Sequence, residues 1–557
     1  MLQERLIEVE ETIRKITGVQ ITKSFEKNDV VIKGTIAVLV VGLSKELEFE
    51  VLIYPQYPFK SHEAETIKFF NEELLEYNHV MGDGSICIHT AHSPVLSQKL
   101  EYDIGSLKAW IKKYYIDRDI DMHYEHIIVP QKPFKNSHFA YFFNEVAYQF
   151  KKNQYGFVDY SQISNGIFYT EKITSSVIQN FKDKDGQPLV DVKWNVKLKA
   201  MAQSIGLFIF LEDAPMKNKR FAVGKWGELN PFLNQEFLSF LHSVEKKYDK
   251  NKNRYLPLFV GYKIAGNEIH WQAIMLEISQ FPIYGLKESQ KFITAINDEI
   301  KIDWAITKNC SYKYFFGRGK LHESITSSKI LIIGVGAIGS ITAKTLVRSG
   351  CTKIDLIDFD VKEPENICRS EYSFITGIND KTIDLLNDLF SVSPFLESNI
   401  NGYDFSEGFN FYLKAFCKDE TRKMEIENYL NQYDLIIDCS ADNDLLFILS
   451  QFNLSGRMIN LSISNHAKQL VCAVEKNRYD FVMNQYQNVL NFEVEDLYNP
   501  TGCWSPTFKA SYNDINVLVQ YAVKLINLKY FLHKGLLKNF VLETDTEDNF
   551  NIKLKEF

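Results

Sequence analysis

The chain has 557 residues, more than one ordinary hydrophobic core accommodates, so about two to four domains are expected. Hydrophobic residues make up 45% of it, with 41 Phe and 29 Tyr, which fits well-packed globular domains. A net charge of −8 gives no basic footprint for nucleic acid, and no apolar run approaches the roughly 20 residues of a membrane span.

Residues 1–18 carry Leu2, Leu6, Val9, Ile13 and Ile16 along one side of an acidic helical pattern, predicting a first amphipathic helix. No basic-plus-apolar leader opens the chain, so the expected location is the cytoplasm, with no membrane or nucleic-acid partner. Strand-like runs follow at 30–41 and 47–53, then Tyr54-Pro55 and Tyr57-Pro58-Phe59. Residues 77–90, YNHVMGDGSICIHT, form a glycine-containing loop, and a helix is predicted from between Ile104 and Leu107 to about Tyr115. Cys87 is flanked by Ile86 and Ile88, which would anchor the segment while the sulfur faces a groove. A buried structural thiol is the alternative.

Residues from about 145 to 310 are rich in strand-like runs, at 190–196, 205–211, 255–264 and 270–278, separated by turn signals such as Asp185-Gly186-Gln187-Pro188. Gly224-Lys225-Trp226-Gly227 reads as a surface turn anchored by its tryptophan. The stretch carries no repeat and no catalytic constellation, and the expectation is an α+β spacer domain.

The chain is organised around residues 328–360. A short β-branched run at 329–333 predicts a buried parallel strand, and Gly334, Gly336 and Gly339 follow as G-x-G-x-x-G. A helical pattern closed by Gly350 comes next, then a second strand ending in Asp358-Phe359-Asp360. Strand, glycine turn, helix and acidic strand end make a nucleotide-binding unit, with helix N-terminal N–H groups available to phosphate. The glycine pattern alone also suits NAD, with Asp358 on the ribose. The following residues are Asn366 and Arg369 in an N-x-x-R, then Lys381, then an aspartate pair, Asp438 and Asp442.

Residues 312–557 thereby resemble the adenylation domain shared by ubiquitin-activating enzymes and bacterial sulfur-carrier activators, except that the aspartate pair is one residue wider. The resemblance implies ATP and Mg²⁺ as cofactors. It puts Arg369 and Lys381 on the phosphates, Asn366 orienting them, Asp358 on the ribose hydroxyls and Asp442 on Mg²⁺, with Gly334, Gly336, Gly339 and Asp360 completing the nucleotide site. Arg318 is a poor match to an arginine that in family dimers reaches the neighbour's ATP. The chain has eight cysteines but lacks the paired C-x-x-C of the small zinc-bearing activators. Cys472 and Cys439 read as core, and Cys368 stands next to Arg369. Cys503, between Pro500 and Pro506 and before a helix predicted at 514–528, matches the placement of a thioester-forming cysteine in activating enzymes.

The N-terminal order of helix, meander, Y-P-F and glycine loop resembles a ubiquitin-conjugating enzyme, with Cys87 in the acceptor position. The family's oxyanion-stabilising asparagine, eight positions upstream, is replaced by His79. Its imidazole could donate the same hydrogen bond or take a proton, or simply fix the loop.

Both ends together resemble one family, the fusions of a ubiquitin-conjugating-like to a ThiF-type activating domain in bacterial CBASS antiphage operons, the CD-NTase-associated protein 2 class. The resemblance implies an N-terminal α+β conjugating-like domain over 1–145, a β-rich α+β spacer over 146–310 and a Rossmann-like adenylation domain over 311–557. It implies a homodimer that activates the C-terminal carboxylate of a cGAS-like nucleotidyltransferase and transfers it through Cys503 and Cys87 to a lysine. A sulfur-carrier adenylyltransferase and a non-catalytic nucleotide-binding scaffold are the alternatives.

Overall fold

A computed structural model describes residues 2–62, 64–119, 127–130, 132–247, 255–264, 268–288, 291–398, 418–489, 510–532, 538–545 and 550–557. Cys503 and Cys417 lie outside the described residues.

The first unit is a helix, Leu2–Lys15, laid on an antiparallel meander of four strands, Val19–Asn28, Val31–Val38, Leu47–Ile53 and Ile67–Phe70, in sequential order. Val9 and Ile13 are buried against Ile36, Phe49 and Val51, as the amphipathic pattern requires. A second helix, Leu96–Trp110, continues as wider turns over Ile111–Ile116 and packs Leu100, Ile104 and Leu107 into the same core. It starts well before the predicted opening at 104–107. The sequence Leu-Ser-Gln-Lys-Leu-Glu-Tyr-Asp reads as polar, but Lys99 and Asp103 are fully buried and paired with each other. Lys99 also donates to Glu65 Oε2 at 2.9 Å and Thr90 Oγ1 at 2.6 Å, while the Tyr57 hydroxyl donates to Asp103 Oδ2 at 2.8 Å. Every charge in this buried cluster is matched, which lets polar residues occupy a core face.

The central unit holds eight strands in the order Ser137–Phe143, Trp304–Asn309, Ile269–Glu277, Tyr255–Lys263, Gln203–Glu212, Gln154–Phe168, Glu171–Asp183 and Pro188–Asp191. Ser137–Phe143 also pairs in parallel with Glu171–Asp183, closing the sheet on itself. Aromatic rings fill the inner face: Tyr141 meets Phe259 across the ring of strands at 5.0 Å, and Phe150 meets Trp271 at 5.2 Å. The outer face is covered by the helix Gln235–Glu245 through Phe237, Leu238 and Leu241. Two expectations are corrected here. Ser137–Phe143 belongs to this sheet, not to the unit ending at 145, because its partners are 171–183 and 304–309. The predicted strand at 190–196 stops at Asp191, because Asn195 caps a short helical turn, Val196–Lys199, accepting from Leu198 N–H at 3.0 Å. Trp226 is buried and anchors the 224–227 turn, as expected.

In the third unit, Lys353–Ile357, Lys329–Ile333, Leu435–Asp438 and Arg457–Ser464 lie parallel in that order. Antiparallel strands Gln469–Ala473, Phe540–Asp545 and Asn551–Glu556 extend the sheet. The helix Ala337–Arg348 packs with the helix Tyr512–Leu525 over one face, and the other face is covered by Asn443–Ser450. The four parallel strands are β-branched and buried on both sides, which is why their sequence signal is strong. Among the described residues no helix is long and apolar enough to cross a membrane.

Candidate functional site

The chain leaves Lys329–Ile333 toward a strand on one side and later returns, at Leu435–Asp438, on the other. A doubly wound sheet opens a crevice at such a switch point, beyond the strands' carboxyl ends. The turn Gly334–Gly339 fills this position. Gly334 has φ 79, and a Cβ there would lie 2.5 Å from Ser440 Cα; at Gly339 it would lie 1.9 Å from the Gly334 carbonyl oxygen. These two glycines are demanded by the protein's own backbone. Gly336, which precedes the helix Ala337–Arg348, is different: a Cβ there meets nothing within 4 Å. It borders an open cleft of about 170 Å³, lined also by Asp358, Asp360, Lys381 and Ser440.

Asp358 is held by two backbone N–H groups, Val335 at 2.7 Å on Oδ2 and Asp360 at 2.9 Å on Oδ1. Burial pushes its carboxyl above the ordinary value, and the Lys381 ammonium opposes that rise. Lys381 opens the helix Lys381–Val392 and its ammonium is paired with the Asp360 carboxylate. A polyanion entering the cleft would meet this cation and the helix start at Gly336.

The adjacent strand ends in Asp438, which is fully buried and accepts from Ser440 N–H at 3.0 Å, Ser440 Oγ at 2.7 Å and Asn460 Nδ2 at 2.9 Å. Burial raises its pKa, and the charge of Asp442 adds to the rise. Ala441, at φ 56, takes up the extra residue between the aspartates. Asp442 caps the helix Asn443–Ser450, accepting from Leu445 N–H at 3.0 Å. Among the described residues no group of three His, Cys, Asp or Glu could hold a metal ion by itself. The donor set suits Mg²⁺ carried in on phosphates, which needs one or two protein carboxylates.

Asn366 and Arg369 do not line the cleft. The Asn366 side-chain oxygen accepts from Glu363 N–H at 2.9 Å, capping its own short helix, Pro364–Ile367. Arg369 is half-buried, and no side-chain partner is found for it among the described residues. Cys368 is exposed, whereas Cys439 and Cys472 are buried as expected. Arg318 is exposed. Two residues escaped the sequence reading. The Tyr372 hydroxyl donates to the Val335 carbonyl, bracing the glycine turn. Lys362 is buried, donating to the Ser373 carbonyl at 2.8 Å and pairing with Asp384 at 3.0 Å. A tyrosine three residues beyond Arg369 is a readable position, but nothing in its spacing announces a bond to the turn.

At the other end, Cys87 is half-exposed between buried Ile86 and Ile88. Its N–H donates to the His79 carbonyl at 2.7 Å, tying the segment to the 77–80 loop. The His79 backbone sits at φ 60, and its ring lies 4.7 Å from that of Tyr114. The His89 imidazole lies beside the sulfur, its Nε2 3.8 Å from Cys87 Sγ. Burial raises the Cys87 thiol above its usual value, and the positive charge of Arg220 pulls it back. Neither His89 nor Arg220 has a sequence signal as a site residue.

Two family models match the chain. The ThiF family covers residues 311–457, and the Cap2 central linker domain covers residues 124–309. The ATP-dependent ubiquitin transferase-like protein Cap2 of Enterobacter hormaechei subsp. hoffmannii (strain UCI 50) is 23% identical over 377 residues. Over its central and C-terminal parts the chain is similar to the Cap2 class. That alignment spans 63% of this chain and 60% of the Enterobacter protein. Ubiquitin-like modifier-activating enzyme 5 of Dictyostelium discoideum is 30% identical over 90 residues, covering 16% of this chain and 24% of that protein. Among solved structures, E. coli MccB with AMPCPP and MccA covers 42% of this chain and 65% of its own, at 15% identity and a TM-score of 0.28.

Proposed function

We propose that the chain uses ATP to adenylate the C-terminal carboxylate of a partner protein and passes the acyl group from Cys503 to Cys87 and on to a lysine amine. The partner carboxylate attacks the α-phosphorus and pyrophosphate leaves. The Cys503 thiolate attacks the acyl adenylate and AMP leaves. Cys87 then exchanges for Cys503, and a lysine amine displaces Cys87 as the isopeptide forms. Each thioester conserves the activation while moving the acyl group.

The reading is carried by Gly336: a glycine whose Cβ would meet only open cleft, beside Lys381, is what close backbone approach to phosphate needs. Lys381 would exchange Asp360 for phosphate, with Arg369 and Asn366 adding contacts once nucleotide is in place. Asp358 would take the ribose hydroxyls. Mg²⁺, held through Asp442 and the phosphates, would neutralise charge on the triphosphate. The helix–meander–helix unit around a half-exposed Cys87 supports a ubiquitin-conjugating-like role, with His89 placed to receive the thiol proton and His79 to fix the loop. The name of the Enterobacter relative points the same way. We take the partner to be a cGAS-like nucleotidyltransferase of an antiphage operon and the assembly to be a homodimer, in which Arg318 would reach the neighbouring nucleotide.

Pyrophosphate–ATP exchange by the full chain tests the first step. Exchange that requires a partner with an intact C-terminus, and is lost in Lys381→Met, is expected. Exchange that is absent with the genuine partner would leave a nucleotide-binding scaffold in place of an enzyme.

A further inference from the structure

The central unit reaches into the Cys87 site. Arg220, in the turn between the short paired strands Met216–Lys217 and Phe221–Ala222, is buried and sends its guanidinium across the boundary to two backbone carbonyls of the first unit, Tyr77 and, at 3.2 Å, Val80. These carbonyls flank His79, whose own carbonyl accepts the Cys87 N–H. Neighbours lock the approach. Lys219 pairs with Glu76 at 2.9 Å, and a Cβ on Gly82 would meet the Phe221 ring at 3.6 Å. The strand-like bridge from Ile128 holds the segment from behind, with Ile128 N–H donating to the Arg220 carbonyl at 2.7 Å.

The groups around the thiol are few in kind. His89 lies on its own segment, His79 on the 77–80 loop, and Tyr114 behind His79 on the second helix. Asp83, on the preceding turn, is engaged by Ser85. Among the described residues, the positive charge that bears on Cys87 in the direction of the thiolate is that of Arg220. A guanidinium is suited to this double duty, because one of its nitrogens, Nη1, reaches both carbonyls while the group stays charged at every relevant pH.

We propose that Arg220 is a positioning residue of the Cys87 site, through which the central domain fixes the 77–80 loop and presents a permanent positive charge to the thiol. The central domain is then part of the acceptor site and more than a spacer. The proposal rests on reading Cys87 as an acyl acceptor, but its test does not depend on acyl transfer.

The full chain, without ATP or partner, is alkylated with iodoacetamide across a pH series, and Cys87 modification is followed by peptide mass spectrometry. Arg220→Met is expected to move the Cys87 profile to higher pH and slow alkylation near neutral pH by roughly three- to tenfold, a shift of up to about one pKa unit, with the alkaline plateau unchanged. Arg220→Lys, which keeps the charge but loses the planar guanidinium that spans both carbonyls, is expected to fall between. A wild-type profile in Arg220→Met overturns the proposal. If that variant also labels buried Cys351 and Cys472, marking global unfolding, Arg220→Lys decides: an intermediate profile supports the assignment and a wild-type profile overturns it. A chain that never loads Cys87 with an acyl group, yet shows the shifted profile, would sink the relay and leave Arg220 standing.

Discussion

At the scale of single residues, the three glycines of one motif do different work, and substitution separates them. Gly334→Ala and Gly339→Ala force a Cβ into backbone at 2.5 Å and 1.9 Å, so each lowers the melting temperature. At Gly334 the positive φ alone costs on the order of 1–2 kcal/mol. In Gly336→Ala the added Cβ meets nothing within 4 Å in the protein. This variant is expected to melt within about 0.5 kcal/mol of wild type while losing nucleotide affinity, as read by calorimetry. Equal melting losses in all three would remove the case for a phosphate at Gly336. Thiols divide just as sharply. Burial pushes Cys351 up to about 12 and Cys439 well above the usual range, so both are inert, while Cys87 is half-exposed with an imidazole and a guanidinium at hand. The glycines and Cys87 were legible because their neighbours in sequence carry the pattern. Tyr372, His89 and Arg220 were not, because each acts through a contact that spacing does not encode. The N-x-x-R pattern puts Asn366 in place to orient phosphates, and in the structure its oxygen caps its own short helix, a use the pattern leaves equally open.

At the scale of elements, the edge of the nucleotide cleft is a small hairpin, Val361–Lys362 against Asn379–Asp380, that leads into the helix Lys381–Val392. Lys362 pins it from beneath through Asp384, the Ser373 carbonyl and Thr376. Lys362→Met would strand a buried carboxylate and is expected to cost about 3–5 kcal/mol in denaturant unfolding, with weakened ATP binding because Lys381 shares the helix. A change under about 0.5 kcal/mol would show that the pin is not structural. Buried charge of this kind also explains the missed helix start. Leu96–Trp110 hides Lys99 and Asp103, and a reader of hydrophobic periodicity sees such residues as solvent-facing. The parallel strands of the third unit came through because β-branched runs are buried on both faces.

At the scale of the molecule, the joints between units leave little trace in the sequence. Ser137–Phe143 closes a sheet whose other members lie up to residue 309, a pairing that no local window contains. The second joint is polar: Asn195 donates to the carbonyls of Phe390 at 2.8 Å and Ser393 at 2.9 Å while its N–H bonds Pro394. Side-chain amides that cap one element and bind another domain leave no periodic trace. With Arg220 at one joint and Asn195 at the other, the central sheet fixes both ends against itself, so a carrier cysteine in the third unit would deliver to an acceptor held in a set place.

The central claim, an acyl relay between two sulfurs, is tested most directly by peptide mass spectrometry of the full chain. The protein is incubated with ATP, Mg²⁺ and its partner, then quenched in acid without reductant. The partner's C-terminal acyl group is predicted on both Cys503 and Cys87, released by thiol reductant, absent from both in Cys503→Ala and retained on Cys503 in Cys87→Ala. Two bare sulfurs, or Cys87 still charged in Cys503→Ala, would contradict the account.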